Sequence, residues 1–193
     1  VQKYPPQETG LTCNSWFGKF HLEMHWWHSV HFALWSRLEM LEPSLEWYRE
    51  ILPAARAIAE RQGYAGVRWP KMTNPNGEDS PSGIGPMLIW QQPHPIYYAE
   101  LVYRQKPTQE TLQTYKEIVL ETAKFMADFA HWDADSGRYV LGPPVIPAQE
   151  NYPHDRTWNP TYELCYWQWG LHTAQQWRLR MGLEREEKWD PII

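Results

Sequence analysis

Thr108-Gln-Glu-Thr-Leu-Gln-Thr-Tyr-Lys-Glu-Ile-Val-Leu-Glu-Thr-Ala-Lys-Phe-Met-Ala-Asp-Phe-Ala130 is the stretch that decides the fold class. Leu112, Tyr115, Val119, Ala123, Met126 and Ala130 recur at helical spacing, with charged residues between them. That is one apolar face on a long amphipathic helix. Lys106-Pro107-Thr108 places a break and a cap candidate in front of it. Upstream, 95–105 predicts a shorter helix. Before that, Ser44 to Gln62 predicts another, with Ser44 as its cap, Pro53 as a kink and Gly63 as its stop. The run from Trp26 to Leu41 is apolar around most of its circumference, the mark of a buried helix. Asn159-Pro160 opens the last helix, which continues to Met181-Gly182. Long strands are not predicted. A small hairpin is expected around Asp135-Ser-Gly137, with Arg138 to Leu141 as its return arm.

The 193 residues suffice for one domain with a packed core. A formal charge of −5 without a basic stripe argues against nucleic acid as a partner. No apolar run reaches the ~18 residues of a membrane span, and no signal peptide is visible. The chain opens on Val1, which fits either a removed leader or a larger parent chain. Cys13 and Cys165 lie in no CxxC spacing and are expected to be reduced. Thirteen Trp and eleven Tyr in a chain of mean hydropathy −0.66 exceed what packing alone explains. Trp35, Trp47 and Trp177 fall mid-helix and are expected in the core. Indole faces elsewhere can stack on the apolar faces of sugar rings, and nearby carboxylates can supply the proton that a glycosidic bond needs.

Loop lengths locate the site. Helices one and two, and three and four, are joined by short turns, whereas 63–91 and 132–158 are long connections of the functional kind. Antiparallel helices then bring both long loops and the segment before helix one to one pole. Trp16, Glu23, Trp26, Arg68, Trp69, Glu78, Asp79, Trp90, Asp133, Glu150, Asp155, Trp158 and Glu163 are expected there. Five helices with buried faces are an odd number for a closed helical shell, so the chain is expected to be a piece of a larger toroid.

Three motifs and the start of the last helix carry a resemblance. Lys19-Phe-His-Leu-Glu23-Met-His-Trp-Trp27 resembles the stretch that opens a barrel helix and lines the sugar site in (α/α)6 six-hairpin glycoside hydrolases, although it lacks the Trp-Asp core found there. The nearest types are maltose/trehalose phosphorylase (family 65) and α-L-fucosidase (family 95). Gly66-Val-Arg68-Trp69-Pro70 with Gly77-Glu78-Asp79 resembles the phosphorylase-type Gly-Ala-Arg-Phe-Pro-Trp and its following Gly-Glu-Glu. Pro147-Ala-Gln-Glu150-Asn151 resembles Gly-Pro-Asp-Glu-Tyr and Ser-Pro-Glu-Asn, in which the Glu is the general acid. Asn159-Pro-Thr-Tyr-Glu163 resembles the Asn-rich helix start that follows in the phosphorylase type.

The resemblance implies an all-α (α/α)6 barrel of which this chain forms about half. It implies an inverting glycosidase, or a phosphorylase in which phosphate replaces the protein base. A carbohydrate-binding or scaffold fragment without catalysis is the competing class. Glu150 is the expected acid, with Val145, Ile146 and Tyr152 as an apolar wall favouring its protonated form. His21, Glu23, His25, Trp26, Trp27, Arg68, Trp69, Asp79, Trp90 and Glu163 are the expected sugar contacts. Glu23 could instead pair with Arg68 or serve as a second catalytic carboxylate. Arg68 could pair with Asp79 or Glu78 to shape the pocket, and Glu163 could simply favour the helix macrodipole. The general base is expected from a later segment. Carbohydrate and the remainder of the barrel are the expected partners, and no cofactor is called for. His21, His25 and His28 with Glu23 do not match the His-Glu-x-x-His zinc pattern, and Asp133-Ala-Asp135-Ser-Gly137 lacks the closing acid of a calcium loop, so no metal is expected.

Overall fold

A computed structural model describes Tyr4 and residues 19–193; Cys13 and Trp16 fall outside these residues. The described chain is all-α, with six helices and two very short sheets. In order these are β1 (Phe20–His21), α1 (Leu22–Leu34), α2 (Leu38–Glu50), α3 (Leu52–Arg61), β2 (Met72–Thr73), α4 (His94–Gln105), α5 (Gln109–Phe129), β3 (His131–Asp133), β4 (Arg138–Val140) and α6 (Thr161–Arg180).

Thr108 caps α5, its hydroxyl accepting the Thr111 amide at 3.1 Å. Gly182, with φ of 74°, follows the end of α6. The antiparallel β3–β4 hairpin turns at 133–137 as expected, where Asp133 accepts the amides of Asp135 and Ser136.

The first two helices differ from expectation. α1 opens four residues early, because pairing of β1 with β2 fixes the chain as far as His21. It ends at Leu34, where Ser36 takes a left-handed φ of 58°. α2 then begins at Leu38 and passes through Pro43 in its second turn, where the missing amide removes the bond that position 43 would give to Glu39 O. Ser44 is consequently no cap: its hydroxyl donates back to Leu41 O at 2.7 Å. The expected kink at Pro53 is a full break at Ile51, with Pro53 in the first turn of α3. Trp47 and Trp177 are core, but Trp35, displaced into the turn, is 71% exposed.

α4 packs against α1, α2, α5 and α6 and is the centre of the bundle. Its Glu100 is buried and accepts from Trp177 Nε1 at 2.8 Å and from Arg180 at 2.6 Å, with Arg104 Nε at 3.2 Å. At the same end Lys106 bonds Glu42, and Gln109 reaches Arg180 O. The two tight turns therefore meet at one pole, and both long loops at the other.

Burial pushes the Glu100 carboxyl up, but the Arg180, Trp177 and Arg104 donors outweigh it and hold it below the ordinary range. A depressed carboxylate stabilises the fold above its unfolded-state pKa and loses that contribution as pH falls through the folded value. Glu100→Ala is expected to cost about 3 kcal/mol at pH 7 by leaving buried donors unpaired. The penalty should shrink in acid, as read by urea unfolding at pH 7 and at pH 3. An equal loss at both values would refute the assignment.

Candidate active site

The long connection between α3 and α4 is held by a buried cation. Arg68 is 1% exposed and donates to Leu88 O at 2.6 Å, Gln92 Oε1 at 3.2 Å and Trp69 O at 3.3 Å. Burial pushes its guanidinium down to about 10. Gln92 completes the weld, accepting Trp69 N at 2.8 Å and donating to Val67 O at 2.8 Å. At Gly66, φ is 80° and an added Cβ would stand 2.4 Å from Glu121 O of α5, so only glycine permits this approach. The second long loop joins the first where Ile146 N donates to Met87 O at 2.9 Å, and Leu88, Trp90 and Ile146 form a small apolar cluster there.

Beside this junction opens a cavity of about 780 Å³. Glu23, Met24, Trp26 and Trp27 from α1, Lys71 and Trp90 from the first loop, Ala148, Gln149 and Glu150 from the second, and Tyr162 from α6 line it. Of the expected residues, Glu23, Trp26, Trp27, Trp90 and Glu150 do converge. Trp26 and Trp27 meet edge to face at 5.5 Å, and the Trp90 ring lies edge-on to Tyr162 at 6.3 Å. Lys71 links the carboxylates. Its Nζ is 2.7 Å from Glu150 Oε1 and 3.4 Å from Glu23 Oε1. Burial pulls the ammonium down, but the two carboxylates more than offset this and leave it raised. His21, itself buried, contacts Glu23 Oε1 at 3.4 Å through Nδ1.

Glu150 has a left-handed φ of 56°, an uncommon state for a glutamate and one that strained functional positions share. Its amide closes a turn onto Pro147 O at 2.8 Å. The apolar wall expected around its side chain is not there: Val145 and Ile146 are buried in the interior, Tyr152 is exposed, and the carboxyl faces Lys71. Glu163, in the first turn of α6, is 1% exposed and sits behind the loop rather than in the cavity lining. Its Oε1 accepts the Ala148 amide at 2.7 Å, and burial raises its carboxyl despite that amide.

Several expected contacts belong to the core instead. His25 is fully buried between Tyr48 OH at 3.0 Å and Ser44 Oγ at 2.9 Å, and burial, with His94 and His28 nearby, pushes it down to about 3. Trp69 is fully buried with its Nε1 on Thr122 Oγ1 at 2.7 Å. Arg68 serves the loop, and Glu23 pairs with Lys71 and His21 rather than with it. Asp79 lies 3.9 Å from Arg61 and Glu78 accepts from Asn74, both within the turn after β2 and outside the cavity lining. Asp133, Asp155 and Trp158 do not line it either. Cys165 is an exposed free thiol, and no three His, Cys, Asp or Glu side chains converge as a metal set among the described residues. A second cavity, of about 710 Å³, opens near Arg178 and Trp189 and holds none of the expected residues.

Sequence reasoning missed Lys71 and Tyr162. Lys71 had a signal: it follows Pro70, where the phosphorylase-type motif closes on Trp.

No protein-family model matches the sequence, and no curated protein matches it. A solved structure named "Putative kojibiose phosphorylase from human microbiome" is similar in fold, with a TM-score of 0.80 at 16% identity. The similarity covers 98% of this chain and 27% of that one. The hairpins are thus arranged as in part of the helical barrel of a phosphorylase-type structure.

Glu163 yields a pH prediction of opposite sign to Glu100. Its raised carboxyl means that the fold favours the protonated form, a stabilisation lost as pH rises from about 4.3 through the folded value. Glu163→Gln keeps an acceptor for Ala148 and cannot ionise. The melting temperature of the variant minus that of the wild type is expected to be higher at pH 7 than at pH 4. A difference independent of pH would remove the raised carboxyl from the account.

Proposed function

We propose that this chain is the acid-bearing part of a carbohydrate-active enzyme that cleaves O-glycosidic bonds, with Glu150 as the general acid. The observation carrying this reading is the meeting of Glu150 and Glu23 on one ammonium beside Trp26, Trp27 and Trp90. Indole rings offer platforms for sugar faces, and Glu23 offers acceptors for hydroxyls. Glu150 carries the proton to the leaving oxygen at the rim of the cavity, where its side chain is 36% exposed.

Glu23 is not the base in this reading. An inverting pair keeps its carboxyls ~6.5–9.5 Å apart to admit water. Here the Lys71 ammonium contacts one oxygen of each carboxylate and stands between them, where the attacking water would have to sit. Activation of the attacking group is assigned to residues beyond the described ones, from the remainder of the barrel in the same parent chain or another. Inverting hydrolysis is the preferred outcome. Phosphorolysis is the second reading, favoured by the name of the similar structure.

Turnover of kojibiose and a panel of 4-nitrophenyl glycosides, with and without inorganic phosphate, tests both. Strict phosphate dependence selects phosphorolysis. Glu150→Gln is expected to lower kcat on kojibiose by about 10²–10⁴-fold. Sugar binding, read by tryptophan fluorescence, should stay within about twofold because the indoles remain. A Glu150→Gln chain as active as the wild type would end the assignment and leave a binding or scaffold role.

A further inference from the structure

We propose that Lys71 is the positioning residue of Glu150, holding Oε1 so that Oε2 is the oxygen presented to the sugar. The proposal rests on the function given above but on separate observations. Leu22 N donates to Lys71 O at 3.0 Å, extending the β1–β2 pairing by one step and fixing the Lys71 backbone beside Glu23. The Lys71 side chain is 13% exposed, so little of it is free to wander in solvent. Its 2.7 Å contact with Glu150 Oε1 is a charge-assisted hydrogen bond, and Glu23 at 3.4 Å holds the ammonium from the other side.

Glu150 needs such a restraint. Its left-handed backbone aims the side chain from a loop rather than from a helix, and the residue is the most exposed of the three charged groups. An unrestrained carboxyl there would rotate between equivalent oxygens. With Oε1 held, Oε2 is the oxygen from which the proton passes to the glycosidic oxygen as the bond to the sugar carbon breaks. The aglycone leaves as an alcohol, and water or phosphate takes the sugar carbon. The charge left on Glu150 develops next to a fixed cation, which lowers the cost of giving up the proton.

Two readouts test this. At pH 6 and low temperature, the Lys71 ammonium is expected to give a slowly exchanging ¹H–¹⁵N signal, assigned by its loss in Lys71→Arg. Glu150→Ala should accelerate its exchange about tenfold, because the Oε1 acceptor is gone. Unchanged exchange would overturn the proposal whatever the enzyme does. In turnover, Lys71→Met should lower kcat on kojibiose about 10- to 100-fold at nearly constant KM. The loss should be small on 4-nitrophenyl glycosides, whose leaving group departs with little protonation, and Lys71→Arg should recover most of it. Equal losses on both leaving groups would make Lys71 merely structural. If the wild-type chain by itself cleaves neither substrate, the base assigned to the rest of the barrel accounts for it, and the exchange measurement alone decides whether Lys71 holds Glu150.

Discussion

A buried guanidinium whose hydrogen bonds all go to neutral oxygens organises this molecule, with Asp79 acting on it only through space. Removing Arg68 from water costs several kcal/mol unless its donors are satisfied, and it has only neutral oxygens to satisfy them. Helix and strand carbonyls are already committed to their own ladders, so free ones must come from irregular backbone. The loop from Pro86 to Gln92 supplies them and is thereby folded around the cation. A connection of this length would ordinarily be the most variable part of a helical domain. Here it is internally welded, and Lys71 and Trp90 are carried on it at fixed places.

The second long loop depends on the first. Ile146 docks against Met87, Glu163 grips Ala148, and Asn159 and Leu141 bond each other through the Asn159 amide and side chain at 2.9 and 2.8 Å. These contacts leave Pro147 to Glu150 a short span between anchors, short enough to hold a left-handed residue at its tip. Glu23 and Glu163 both stand in the first turn of their helices, Glu23 on the cavity and Glu163 behind the loop, where burial outweighs the helix amides and raises its carboxyl. The site is thus an acidic rim supported by helix N-termini and crossed by one lysine.

Helical periodicity made the amphipathic α4 and α5 legible almost to the residue, and Asn159-Pro160 and Gly182 bracketed α6, whose apolar residues are spread around its circumference. The start of α2 was obscured because Glu42-Pro43 mimics a boundary that burial of Leu38 and Leu41 overrides. Loop lengths did place both long loops at one pole, yet they could not sort the residues on it. Trp69 and Trp90 carry the same ring on the same loop, one buried on Thr122 and the other facing the cavity. His25 and Trp26 are neighbours on α1 and point to opposite sides. Such choices are made by tertiary contacts, which spacing does not encode. Lys71 stands where the phosphorylase-type motif has Trp, and only the fold shows that it meets Glu23 and Glu150.

The charge balance of the cavity bears on which nucleophile could complete the reaction. Lys71 is the basic residue in the described lining, and two carboxylates already occupy it. An incoming phosphate would meet Glu23 and Glu150 with no cation left to receive it, so phosphorolysis requires an anion site built by other residues. Water meets no such repulsion but does require a base, a role that the proposed function gives to other residues because Lys71 stands between Glu23 and Glu150. In the function proposed above, either route divides the chemistry in the same way: proton donation and sugar stacking on these hairpins, activation of the acceptor on others. A fold that matches 98% of this chain to 27% of a longer one accommodates that division, since a toroid brings residues from distant hairpins to a common mouth.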